Sequence, residues 1–294
     1  MLALSAEVRD ALGVGAAGKL GVLDVELAPR AGSTRVVRQY QKSPLYIYRP
    51  VYLDAARPDM AFVFLQQQGD GLVQGDRYRI DIDCAPGSAV HITTQAATKV
   101  FRARDDFATQ LVNLRAGSGT ILEYLPDPII PFSGSRLFQR TTVTMADDAT
   151  VILGEILLPG RVAHGEAHAY DLFWAETEVR DPGGAPILAD TLRLRPGQAD
   201  DPRSPGVLGG YDVLGSLYVI APGSTGDELV DLLRKALAGA PDVLAGVTEL
   251  PAGRGAGLRL LGPSSKAVQA AMRLGWDRIR THLLGSPTPE LRKG

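Results

Sequence analysis

A single cysteine, Cys84, stands among 294 residues. An intramolecular disulfide and a Cys-rich zinc site are both excluded, and a reducing compartment suits the chain. Charge of one dominant sign is also missing: 31 Lys and Arg stand against 33 Asp and Glu, a formal net charge of -2. Whole-molecule attraction to a polyanion is therefore absent, and nucleic acid is not an expected partner; only a local basic patch could act electrostatically. No window of about 18 uninterrupted apolar residues occurs, and residues 1–10 lack a basic start followed by an apolar run, so neither a membrane span nor a secretory leader is expected. The location read from this is cytoplasmic. Aromatics are scarce at 6%, which leaves little surface for stacking sugars. Four histidines, His91, His164, His168 and His282, offer few bases to a Ser-His-Asp device, and neither G-x-x-x-x-G-K-[ST] nor G-x-S-x-G is present. Gly13-Val-Gly-Ala-Ala-Gly18 matches G-x-G-x-x-G, but no buried strand precedes it and a strand follows it, the inverse of the dinucleotide-binding context.

What is present is the composition of a folded protein, 45% hydrophobic and 22% charged. From residue 19 to about 220, short runs rich in Val, Ile, Leu and Thr alternate with polar positions and are broken by Gly, Pro and Asp clusters. That is strand rhythm. No long helical pattern intervenes, so a parallel βαβ fold is disfavoured and a mostly antiparallel stack of sheets is expected. The last quarter changes period. Leu229, Leu232, Leu233, Ala236 and Leu237 recur at helical spacing up to Gly239. A second helix is predicted from about Ser264 to Leu284, with Val268, Ala271, Met272, Ile279 and Leu283 toward the core and Gly285 ending it. Between them, Val243 to Leu261 reads as two short strands around a turn. The chain is thus expected to be one domain, 1–294, with a β-rich body over 1–220 and a helix-strand-strand-helix portion over 221–294.

Two stretches carry candidate chemistry. In an extended strand, His164, Glu166 and His168 would share a face, and two imidazoles with a carboxylate suit Ni, Zn or Cu as an incomplete, transient site. A solvated strand face is the plainer account of the same pattern. The second stretch, residues 89–101, is unusual for a strand. Alternation puts Val90 and Ile92 on one face and His91, Thr93, Gln95 and Lys99 on the other, yet Thr94 and Thr98 add hydroxyls to the first. A strand polar on both faces has water or a partner on both, unless it simply runs into a loop whose backbone satisfies the threonines.

This stretch, His91-Ile-Thr-Thr-Gln-Ala-Ala-Thr-Lys99 followed by Phe101-Arg102, resembles the most distinctive motif of the UreD/UreH family of urease accessory proteins. Other elements resemble that family in the same order: Gly71-Leu-Val-Gln-Gly-Asp76, Leu122-Glu-Tyr-Leu-Pro-Asp-Pro-Ile-Ile-Pro-Phe132 and Gly160-Arg-Val-Ala-His-Gly-Glu166. Pro44-Leu-Tyr-Ile-Tyr-Arg-Pro-Val-Tyr-Leu53 and Met272-Arg-Leu-Gly-Trp276 extend the resemblance over nearly the whole chain. His164 and His168 are not part of the family pattern, so no metal role for them is inherited.

The resemblance implies a mainly β fold of stacked sheets in a helical arrangement with two late α-helices. It also implies a scaffold rather than an enzyme, one that binds urease apoprotein and UreF, and through UreF the UreG protein, to assist lysine carbamylation and Ni(II) delivery. Nickel would be transient cargo in a hydrated internal passage, with no tightly bound cofactor. On that reading Asp76, Thr94, Gln95, Thr98, Lys99, Glu166 and Asp190 are the passage or motif residues. Asp76, Glu166 and Asp190 would lower the cost of a partly desolvated cation, and Lys99 would pair with one of them or face urease. Trp276, flanked by Arg278 and Arg280, has the composition of a contact for UreF, the alternative being that Trp276 packs the helix onto the sheets. The alternatives are a β-rich hydrolase using Glu166 and Asp190 as acid and base, and a structural adaptor indifferent to metal.

Overall fold

The computed structural model describes residues 18–291 except 241. Residues 13–17 of the glycine pattern lie outside them. In chain order the strands are β1 (Leu20–Arg30), β2 (Ser33–Lys42), β3 (Leu45–Ile47), β4 (Ala61–Gln67), β5 (Arg77–Cys84), β6 (Ala89–Thr94), β7 (Thr98–Val100), β8 (Ala108–Ala116) and β9 (Ile121–Tyr124). Next come β10 (Ile129–Pro131), β11 (Arg136–Met145), β12 (Thr150–Leu157), β13 (Leu172–Arg180), β14 (Pro186–Leu194) and β15 (Val213–Ile220). The final quarter holds α1 (Gly226–Leu237), β16 (Leu244–Glu249), β17 (Gly255–Gly262) and α2 (Ser265–Leu284), close to the periodicity-based bounds.

Two sheets face each other. The first has the order β14-β13-β11-β8-β5-β1-β2, the second β16-β17-β15-β12-β9-β6-β4-β3, with β10 bridging β12 and β7. Successive strands leave one sheet and enter the other, so like strands stack as the coils of a solenoid. This overturns the antiparallel expectation: β1-β5-β8-β11-β13 and β4-β6-β9-β12 pair in parallel throughout. A parallel pair needs a crossover, and the expectation assumed that only a helix could supply it. Here a strand of the opposite sheet does so. The antiparallel pairs β1-β2, β3-β4, β13-β14, β12-β15, β15-β17 and β16-β17 lie toward the ends of the stack.

Strand alternation builds three layers. In β5, Tyr78, Ile80, Ile82 and Cys84 are buried while the residues between them are partly exposed. β15 is buried at every position because both of its faces are covered. Its Leu214, Tyr218 and Ile220 join the core between the sheets, and its Val213, Leu217 and Val219 join a second core under the helices. α1 contributes Leu229, Val230, Leu233 and Leu237 to that second core, and α2 contributes Val268, Ala271, Met272 and Ile279. Ser264 accepts the Ala267 amide at 3.3 Å to start α2, and Gly285, at φ 68°, ends it. No helix among the described residues is long and apolar enough to cross a membrane.

α2 also corrects the expected contact at Trp276, Arg278 and Arg280. Trp276 and Arg280 are four residues apart and share the face laid on the second sheet, with Trp276 7% and Arg280 0% exposed. Only Arg278, on the opposite face, meets solvent. The Trp276 ring stacks on His91 at 5.2 Å, and Phe62 lies against His91 at 5.0 Å. Beneath them, Glu123 Oε2 lies 2.8 Å from His91 Nδ1 and 3.5 Å from Arg280 Nη1, while Arg280 Nη2 also pairs with Asp54. Thus His91 is an outward residue of β6 that α2 buries. Arg280→Ala leaves Glu123 and Asp54 without their cation and is expected to lower the unfolding free energy by about 3–5 kcal/mol. Urea denaturation checks this, and an unchanged midpoint would show that the pairs do not hold α2 in place.

A polar lumen between the sheets

The core between the sheets is interrupted by a cavity of about 350 Å³. That is far above the ~10–15 Å³ one water requires. Its cause is a set of polar residues at inward positions of otherwise apolar strands. Along β11 the inward row reads Leu137, Gln139, Thr141, Val143 and Met145. Register aligns these intrusions: Tyr78 pairs Gln110 and Gln110 pairs Gln139, while the next row up holds Thr141, Thr177 and Asp190. On the second sheet, Glu155 pairs Ser216 and Ser216 pairs Arg259. Lining residues run from Leu45 and Tyr46 on β3 at one edge to Asp190 on β14 and Arg259 on β17 at the other, so the lumen follows the solenoid.

Two bridges cross it. Gln139 Nε2 donates to Glu155 Oε2. Arg259 donates to Asp190 at 2.8 Å, Ser216 at 2.7 Å and the Tyr218 hydroxyl at 3.2 Å. Glu155 faces the cavity, and removal from bulk water lifts its carboxyl to about 7, against the pull of Arg259. The same burial raises Tyr124 and Tyr218, keeping their hydroxyls protonated as neutral donors. The lumen thus presents amide, hydroxyl and carboxylate oxygens, with Asp70, Asp127, Glu155 and Asp190 set against Lys99 and Arg259.

Five of the expected passage or motif residues are here. Thr94, Gln95, Thr98, Lys99 and Asp190 all line the cavity, the first four where β6 passes into β7. Thr94 Oγ1 also accepts the Asp127 amide at 2.9 Å. Lys99 is exposed at the rim and makes no ion pair among the described residues; Arg259 takes the carboxylate partner expected for it.

Asp76 and Glu166 are elsewhere. Asp76 accepts the Lys19 amide at 2.8 Å, the Val73 amide at 2.9 Å and the Tyr78 hydroxyl at 3.0 Å, so it organises the loop entering β5. Gly71 opens that loop at φ 154°, with Lys99 O where a Cβ would sit. Glu166 is clasped by Arg161, which holds its carboxyl below the usual range, and accepts the Ser133 amide at 3.2 Å.

The strand assumed for His164, Glu166 and His168 does not form. Residues Val162–His164 make a 3-10 turn and Gly165 reverses the chain at φ 74°, so the two-residue alternation that would align them is lost. His164 is exposed, whereas His168 is buried against Tyr170 and lies 3.3 Å from Asp212, its imidazole pKa lowered chiefly by burial. Among the described residues no group of three His, Cys, Asp or Glu is placed to hold a metal ion.

Gln139, Glu155, Ser216 and Arg259 were missed by sequence reasoning. For Glu155, Ser216 and Arg259 the signal was there, each a lone polar residue at an inward position of an apolar run, whereas Gln139 lies among Arg136, Arg140 and Thr141 and carries none.

The sequence profile of the UreD urease accessory protein family matches residues 19–293. A protein named urease accessory protein UreD 2 from Streptomyces griseus subsp. griseus is 43% identical over 99% of this chain and 100% of its own length. Urease accessory protein UreD of Cenarchaeum symbiosum is 34% identical over 96% of this chain and 99% of its own. That of Haloarcula marismortui is 35% identical over 95% and 92%.

Glu155 supplies a test of the lumen. A carboxyl raised on folding favours the folded state in its protonated form, so this contribution is complete below the ordinary 4.5 and is lost as pH climbs through about 7. Glu155→Gln, which keeps the shape and cannot ionise, is expected to exceed wild type in stability by about 3 kcal/mol well above neutral pH and by nothing below pH ~4.5. Urea titrations at the two extremes measure the difference, and a gain independent of pH would refute the buried acid.

Proposed function

The chain belongs to the UreD family of urease accessory proteins, and from that premise we propose that it is a maturation scaffold that conducts nickel. It binds urease apoprotein and UreF, reaches UreG through UreF, and passes Ni(II) as transient cargo to the urease active site, in the cytoplasm and with no resident cofactor. The supporting observation is the polar lumen between the two sheets.

A divalent cation leaving bulk water loses hydration that something must replace. Amide and hydroxyl oxygens from Thr94, Thr98, Gln110, Gln139 and Thr177 supply that replacement along the lumen. These are hard, neutral ligands that hold a borderline ion weakly. Asp190 carries a charge already balanced by Arg259, and Glu155 is half ionised near neutral pH. Neither makes a deep well, and conduction requires sites weak enough to be left. The hydrolase alternative loses its pair, because Glu166 is held by Arg161 away from Asp190 and the lumen.

The reading is tested by reconstituting activation from apo-urease, UreF, UreG, GTP, bicarbonate and nickel, with and without this protein. Activity is expected only with it, and activation without it would overturn the scaffold. In the same assay Glu155→Gln, although more stable above neutral pH, is expected to slow activation roughly tenfold, about 1.4 kcal/mol of barrier, while still forming the complex. Unchanged activation by that variant would leave a scaffold without a conducting lumen.

A further inference from the structure

Exposed large apolar side chains are concentrated on this molecule. Of the ten among the described residues, six fall in one stretch: Val37, Tyr40, Tyr48, Val51, Tyr52 and Leu53. That stretch comprises β2 and the strap of residues 48–53 after β3. β2 and β3 are the terminal strands of their sheets, so the stretch closes one end of the solenoid. Its parts lie side by side: the Tyr52 hydroxyl donates to Thr34 O at 2.7 Å, and the Ile47 amide donates to Gln41 Oε1 at 3.3 Å. A terminal coil needs a polar outer surface to remain soluble alone, so three tyrosines, Val51 and Leu53 exposed among its polar residues mark a contact.

Charge identifies the kind of partner. Residues 27–53 contain Arg30, Arg35, Arg38, Lys42 and Arg49 and not one Asp or Glu. Arg38 is held by Asp24 and Glu26, whereas Arg35 and Arg49 are exposed and form no ion pair among the described residues. Arginine beside tyrosine is the composition of an interface anchor. A second copy of this chain fits poorly, because two-fold pairing would set this cationic face against an identical cationic face. Strand addition is disfavoured too: Glu26 pairs Arg38 and Leu27 pairs Val36, which leaves Val37 as a bulge that blunts the edge. The face also reaches the lumen, since Tyr46 lines the cavity and meets the Tyr48 ring edge-on at 5.4 Å.

We propose that this end coil is a docking surface for an acidic protein face, one whose carboxylates meet Arg35 and Arg49 around an apolar contact with Tyr48, Val51 and Leu53. The inference rests on the scaffold reading above, and its occupant sits at the β3 edge of the lumen.

The test titrates the purified full-length protein with purified UreF and, separately, with urease apoprotein, at low and high salt. Arg35→Glu with Arg49→Glu, and Tyr48→Ser with Val51→Ser, alter only exposed side chains, and their melting should match wild type. Each pair is expected to weaken binding to one of the two proteins roughly tenfold or more, and the arginine pair to flatten the salt dependence. Leu244→Ser, at the far edge of the second sheet, should bind as wild type does.

Wild-type binding that both pairs leave unaltered overturns this surface while the scaffold reading stands. Wild type that binds neither protein removes the scaffold reading and this surface with it. A photo-crosslinking amino acid at position 48 adds a direct readout. Capture of the acidic partner supports the assignment; capture of a second copy, or of residues 1–17 of the same chain, overturns it.

Discussion

Two β-sheets packed face to face enclose a layer about 10 Å deep, and side chains from both must fill it. The rest of this molecule depends on how that layer is filled. Toward the turns it is conventional, with Val25, Leu27, Ile82, Leu114, Val143 and Val179 closing the space between the sheets. Midway along the strands the inward rows change to Gln110, Gln139, Thr141 and Thr177, and parallel register stacks these changes into a continuous lane. A single inward polar residue would have to find one partner or be left unsatisfied. A stacked set instead encloses a cavity of about 350 Å³, roomy enough to admit water. The Gln139-Glu155 and Arg259-Asp190 bridges then hold the sheets at their separation without apolar filling.

The second sheet serves two environments at once. β6 turns Ile92 and Thr94 inward while His91 faces outward, and β9 turns Leu122 and Tyr124 inward while Glu123 faces outward. Outward charge would normally meet water. Here α2 covers it, so Arg280 and Trp276 must provide what solvent would have supplied. A buried pair of this type contributes little net stability when intact and costs much when broken, which makes it a device for placing α2 in one orientation. The surface proposed for a partner is accordingly not the buried helix face but the end coil, beyond which no strand among the described residues continues the sheets.

Local structure was largely legible. Strand rhythm from residue 19 to 220, both helices and their caps, and the two short strands between them match the observed elements because each depends on neighbours within a few residues. The polar run from Thr94 to Lys99 and the carboxylate Asp190, singled out on the family resemblance, line one cavity. The readings that failed share a cause. His164, Glu166 and His168 were aligned by assuming a strand, and a single glycine turn removed that premise. Trp276 and Arg280 were read as a contact, with packing of Trp276 onto the sheets as the alternative, because a helix pattern does not state what will be laid over it; the alternative holds for Trp276.

The sequence by itself therefore determined the alphabet of elements, the family pattern and the unusual polarity of residues 91–99, all of which are short-range properties. Tertiary structure alone decided that the strands run parallel in a solenoid and that Glu155, Ser216 and Arg259 lie in one row, although 104 residues separate the first from the last by number. It also decided that Asp76 serves a loop while Asp190 serves the lumen. The physical reason is register: a one-residue shift in any coil would turn the same side chains to the opposite face, and that shift is set by packing between coils rather than by residues adjacent in sequence.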